Sequence, residues 1–92
     1  MTEPTDSGSP KAAHNQSVMR AVAIIRCFLD SPDGATLSEL SRRTGTHVST
    51  VYRILQSLTA GGVLRRDDSS ERYYPGTVLL ALAGATFSGL PA

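Results

Sequence analysis

Two short helices joined through a glycine, a β-hairpin after them and one more helix beyond predict a mainly α fold with a small β-hairpin. Three observations carry this. Thr-Leu-Ser-Glu from Thr36 has the spacing of a capping box, in which the threonine side chain and the Glu39 carboxylate each satisfy a free amide of a helix start. Gly45 stands where the apolar stripe of Leu37 and Leu40 ends and the chain must reverse, a position where glycine takes the left-handed conformation without steric cost. Val63 to Arg66 and Arg72 to Tyr74 then flank the polar run Asp67 to Glu71, as two strands flank a loop.

Ninety-two residues, 40% hydrophobic and 18% charged, make one globular domain with one core. Residues 1–15, rich in Pro, Thr, Ser and Gly, predict a disordered N-terminal arm. The arm lacks the apolar centre of a signal peptide, so the expected location is cytoplasmic. Cys27 is the only cysteine, which excludes an internal disulfide and a multi-cysteine metal site and suits a reducing compartment. His14 and His47 have no ligand spacing around them, so no metal and no cofactor is expected. No nucleophile, base and orienting group form a recognisable set and no glycine loop cradles phosphate, so the chain does not read as an enzyme.

Taken in order, Ser17 is placed to cap a first helix whose Val18, Ala21, Val22, Ile25 and Leu29 share one face, with Phe28 at its edge and Cys27, Arg20 and Arg26 off it. Arg20, in the first turn, is then placed to reach a phosphate. Asp30-Ser31-Pro32-Asp33-Gly34 is turn chemistry, and Ala35 allows a short strand before the Thr36 cap. Thr46 is the expected cap of the next helix, in which Val48, Val51, Ile54, Leu55 and Leu58 fall within one buried arc. Gly61-Gly62 stops that helix. The hairpin after it completes a winged helix-turn-helix over residues 16–76, a three-helix core plus wing. Thr77 to Phe87 is apolar almost all the way round and no charge follows Arg72. At about a dozen residues it is short of the roughly 20 that span a bilayer. Residues 77–92 therefore read as a linker or dimerisation helix and tail, covered by a second copy or by another domain.

The outer arc of the 47–60 helix carries Ser49, Tyr52, Arg53 and Gln56, with His47 and Thr50 near its start, and no acid occurs from Thr46 to Leu58. Such a face suits the DNA major groove, where arginine pairs with guanine and glutamine with adenine. From Gln16 to Arg66 seven arginines stand against Asp30, Asp33 and Glu39, and arginine supplies eight of the nine basic residues. That choice favours planar, bidentate donors. The wing is balanced, with Arg65, Arg66 and Arg72 set against Asp67, Asp68 and Glu71, which leaves phosphate contact and a purely structural hairpin equally open. The competing expectation is a winged-helix protein-interaction module in which the Tyr52 and Arg53 face meets a protein.

Ser17-Val-Met-Arg-Ala-Val-Ala-Ile-Ile, Leu37-Ser-Glu-Leu, Thr44-Gly45, Ser49-Thr-Val-Tyr-Arg-Ile-Leu55, Gly62 and Tyr73-Tyr-Pro-Gly76 resemble, in order and spacing, the amino-terminal module of IclR-type bacterial transcription regulators. The resemblance runs from Ser17 to about Phe87. It implies a winged helix-turn-helix that binds double-stranded operator DNA as a homodimer or higher oligomer. The following helix would lead to a domain for a small-molecule effector, which these 92 residues do not contain. It also implies DNA contacts from Arg20, Thr36, Ser49, Thr50 and Arg53. The chain departs from the family at Thr46-His47-Val48, where members often have leucine, proline and a basic residue.

Overall fold

The computed structural model describes residues 14–89. Helix α1 (Gln16–Cys27) runs into a 3-10 turn at Phe28–Asp30, and α2 (Leu37–Thr44) and α3 (Val48–Ala60) follow. Strands β1 (Leu64–Asp67) and β2 (Arg72–Pro75) pair antiparallel, with Leu64 opposite Pro75 and Asp67 opposite Arg72, and α4 (Thr77–Ser88) comes after them. Most of the arm expected over 1–15 lies outside the described residues, as do residues 90–92 of the tail. Asn15, assigned to the arm, instead belongs to the fold. Its Oδ1 accepts from Val18 N–H at 3.0 Å and caps α1, the role expected of Ser17. The helix therefore starts at Gln16, and Arg20 stands in its second turn rather than its first.

The buried face of α1 also differs from expectation. Ile24 and Cys27 enter the core, whereas Val18, Val22 and Leu29 are exposed, Leu29 by 75%, and Ala21 and Ile25 are half-buried. The cause is compositional: apolar residues occupy most of the circumference of α1, so its own periodicity defines no single face and docking against α2 and α3 decides. Cys27, on the inward side, donates its thiol to Ala23 O at 3.3 Å.

One cluster forms the core. Ile24, Cys27, Ala35, Leu40, Val51, Leu55, Leu64 and Tyr73 draw on α1, α2, α3, both strands and the segment before α2. Phe28, Leu37, Ile54, Leu58 and Val63 pack around it. Val48, expected inside, is 42% exposed at the first residue of α3.

Local chemistry sets the joints. Glu39 N–H donates to Thr36 Oγ1 at 3.2 Å and Thr36 N–H to Glu39 Oε1 at 2.9 Å, so the capping box is closed. Gly45 adopts φ 66°, and a Cβ there would meet nothing within 4 Å, so conformation alone demands glycine. Ser41 Oγ donates to Thr46 O at 2.6 Å and ties the turn. Thr46 does not cap α3; His47 does. In the wing, Asp67 Oδ2 accepts from both hydroxyls of Ser69 and Ser70 and from Ser70 N–H, which lowers the Asp67 pKa. Ala35 makes the short bridge expected of it, exchanging hydrogen bonds with Tyr73 at 3.1 and 2.8 Å and fixing the hairpin to the segment that enters α2.

The α4 start is fastened to the segment that connects α3 to β1. Gly76 N–H donates to Val63 O at 2.8 Å and Val78 N–H to Gly62 O at 2.9 Å. Farther along, Leu80, Leu82 and Phe87 are exposed. Among the described residues, no helix is long and apolar enough to cross a membrane.

Candidate nucleic-acid interface

The outer face of α3 rises between two grooves. On one side Arg20 of α1 lines a groove with Thr50, Arg53 and Ser57 of α3. On the other, Thr36 and Ser38 at the start of α2 lie along a groove with Tyr52 and Gln56 of α3 and Arg66 of the hairpin. His47 and Ser49 are exposed at the tip of α3 between them. The residues expected from sequence thus fall on one continuous surface, although Arg20 and Thr36 flank α3 on opposite sides.

Several of these groups are already engaged. Thr36 Oγ1 is held in the capping box, and Gln56 Nε2 donates to Tyr52 Oη at 2.8 Å. That bond uses one of the two Nε2 hydrogens, which leaves the other and the Oε1 acceptor of Gln56 for an adenine edge. Ser49 N–H donates to His47 Nδ1 at 3.2 Å, and Ser49 Oγ lies 2.8 Å from the same nitrogen.

The arginines divide by role. Arg43 donates to Ser31 Oγ at 2.6 Å and Cys27 O at 3.3 Å and lies 3.6 Å from Asp30, bracing α2 against the turn after α1. Arg72 donates to Gly34 O at 3.1 Å and Glu39 Oε1 at 3.4 Å, bracing the hairpin against α2. Glu39 titrates below the ordinary carboxylate range, first because Thr36 N–H donates to it and, despite partial desolvation, because Arg72 stands beside it. Arg66 pairs with the exposed Asp68 at 2.7 Å, and Arg65 lies over the Tyr74 ring at 4.6 Å. Among the described residues, Arg20 and Arg53 have no acid partner. They are the cations of the α3 face not committed to the fold.

Sequence reasoning left Arg66 undecided. The pairing register sets Arg66 opposite Tyr73, on the strand face that turns toward α3, and Arg65 opposite Tyr74 on the other face. The signal was the twofold alternation of the strand, which becomes usable once Tyr73 is known to be buried. Glu71 lines the same groove as Arg66 and opposes its charge there.

Comparison with known proteins supplies the family. The IclR helix-turn-helix domain model matches residues 17–68. The chain is 30% identical over 80 residues to the DNA-binding transcriptional repressor YiaJ of Escherichia coli, covering 87% of this chain and 28% of that protein. It is 39% identical over 66 residues to the HTH-type transcriptional regulator KipR of Bacillus subtilis, covering 72% and 26%. Among solved structures, an IclR family transcriptional regulator from Brucella abortus superposes with a TM-score of 0.75 at 26% identity, over 96% of this chain and 33% of that one. HmgR of Pseudomonas aeruginosa gives 0.74 at 26%, over 84% and 32%. The chain spans less than a third of the length of these curated relatives. On the matched motif, the hairpin register and these likenesses together, the chain belongs to the IclR helix-turn-helix family.

Proposed function

We propose that residues 16–76 are the operator-reading module of a bacterial transcription regulator and that α3 enters the major groove of double-stranded DNA. The observation that carries this reading is the surface of α3: Arg20 and Arg53 meet in one groove with no acid partner among the described residues, and no acid occurs from Leu40 to Arg66. Ser49, Thr50 and Arg53 face the bases, Arg20 and the hairpin face phosphates, and His47, Tyr52 and Gln56 complete the contact surface. Thr36 contributes through its place at the start of α2, where Glu39 engages both its backbone N–H and its hydroxyl oxygen. The work is recognition rather than catalysis, as it is for the regulators to which the chain is similar.

In this reading residues 77–92 connect the module to an effector-binding domain outside the 92 residues, and the functional form is a homodimer or higher oligomer in the bacterial cytoplasm. Fluorescence anisotropy with duplexes selected from genomic fragments tests the DNA reading. The logarithm of affinity should fall linearly with the logarithm of salt, with a slope near −0.9 for each phosphate neutralised. Binding that ignores salt, or no duplex bound above background, would instead assign the Tyr52 and Arg53 face to a protein partner.

A further inference from the structure

The start of α3 is held by a ring nitrogen rather than by an oxygen. Ser49 N–H donates to His47 Nδ1, so Nδ1 carries a lone pair and the proton of the neutral ring sits on Nε2. Ser49 Oγ is 2.8 Å from the same Nδ1. Since Nδ1 is the acceptor, the Ser49 hydroxyl donates inward to it and offers the surroundings only oxygen lone pairs. A proton added from solvent at Nδ1 reverses this. The imidazolium has N–H at both positions. Its Nδ1–H donates to Ser49 Oγ, the Ser49 amide loses its acceptor, and the hydroxyl proton is free to point outward.

We propose that His47 and Ser49 form a proton-linked specificity pair, an inference that rests on the DNA-reading function above. With His47 neutral, Ser49 presents an acceptor and selects a base edge that donates, adenine N6 or cytosine N4. With His47 protonated, Ser49 presents a donor and selects guanine O6 or N7, or thymine O4.

Protein charge does not hold the ring in either state by direct pairing. The elements packed against α3 carry Arg20 and Arg26 on α1, Glu39, Arg42 and Arg43 on α2, and Arg65, Arg66 and Asp67 on β1; α3 itself carries Arg53. Glu39 is held at the far end of α2 by Thr36 and Arg72, and Asp67 is held in the hairpin turn by Ser69 and Ser70. Arg43 is turned to Ser31 and Asp30, and Arg53 lies in the α1 groove with Arg20. Among the described residues, Ser49 is the hydrogen-bond partner of the ring. Beyond Ser49, the ring therefore meets solvent and, in the complex, the anionic duplex.

The test is selection from randomised duplexes at about pH 8 and about pH 5.5, on either side of the ordinary histidine range. The parent should select one consensus that differs between the two conditions at a single base of each half-site, with a preference change of about fivefold. His47→Asn retains a side-chain oxygen suited to the cap but does not titrate; it should select the same base at both pH values. Ser49→Ala should lose preference at that base in both. In the DNA-free protein, nitrogen–proton correlation spectra of the ring should show the Nε2–H tautomer at high pH. A parent consensus that does not move with pH, a uniform gain in affinity across all sequences at low pH, or an Nδ1–H tautomer overturns the pair. If no duplex is selected at either pH, the DNA function fails and the specificity role falls with it; the ring spectrum still shows separately whether the hydrogen bond stands.

Discussion

Arg53 is the side chain on which the proposed DNA-reading surface turns. It is exposed and has no acid partner among the described residues, so Arg53→Ala removes a contact without unbalancing the fold. The variant should melt as the parent does and bind operator more weakly by on the order of 1 to 3 kcal/mol if the guanidinium pairs with a guanine. If it meets phosphate alone, the loss should be equal for all sequences and the salt slope should shrink by about one. Gly45 is a position of a different kind. The open space around it means that Gly45→Val costs stability through its positive φ, on the order of 1 to 2 kcal/mol, whereas Gly45→Asn should cost less because asparagine visits that region. Glu39 and Asp67 both have lowered folded-state pKa values. Their contribution to stability is present above the unfolded values and is lost as pH falls through the folded ones. The melting temperature should therefore hold down to about pH 5 and drop below about pH 4. Glu39→Gln, which keeps the reach back to Thr36 N–H but not the charge, should flatten part of that drop.

At the scale of elements, the joint between α4 and the α3–β1 connection depends on glycine packing. A Cβ on Gly76 would stand 2.5 Å from Gly62 O and 2.9 Å from Leu64 O, both backbone atoms that cannot swing aside. Gly76→Ala should therefore lower stability by about 1 to 3 kcal/mol, as overpacking does. Loss of helical circular dichroism before the main unfolding transition would show α4 detaching first. The same scale explains what could be read in advance. The Thr36 box, the Gly45 reversal, the α3 faces around Val51 and Leu55 and the hairpin each rest on residues within a few positions of one another, so their signals survive in one dimension. The inward face of α1 does not. Val18, Val22 and Leu29 look as suitable for a core as Ile24 and Cys27 do, and only α2 and α3 decide among them. Long-range partners also decide the arginines: Arg43 reaches back 12 residues to Ser31, and Arg72 reaches back 33 to Glu39. From composition alone both are indistinguishable from the Arg53 type. The α3 cap moved by one residue for a local reason, since threonine is the commoner cap and a histidine nitrogen takes the role here.

For the whole molecule, the exposed Leu80 and Phe87 lie seven residues apart on α4 and share one side of it. We expect the chain to dimerise in sedimentation experiments, with the two reading helices meeting half-sites about 34 Å apart or a multiple of that. Replacing both Leu80 and Phe87 by glutamate should yield monomers that melt as the parent module does; unchanged association would move the interface elsewhere. The pair of backbone hydrogen bonds that ties Gly76 and Val78 to Val63 and Gly62 has a mechanical meaning. It makes the Gly62–Val63 segment after α3 a pivot and α4 an arm of about 18 Å, at 1.5 Å for each of its 12 residues. Turning that pivot by about 10° carries the far end through about 3 Å, and the reverse holds equally. In the proposed regulator, an effector domain beyond α4 would then sense whether the module is seated on DNA as a change in direction rather than as a change in shape.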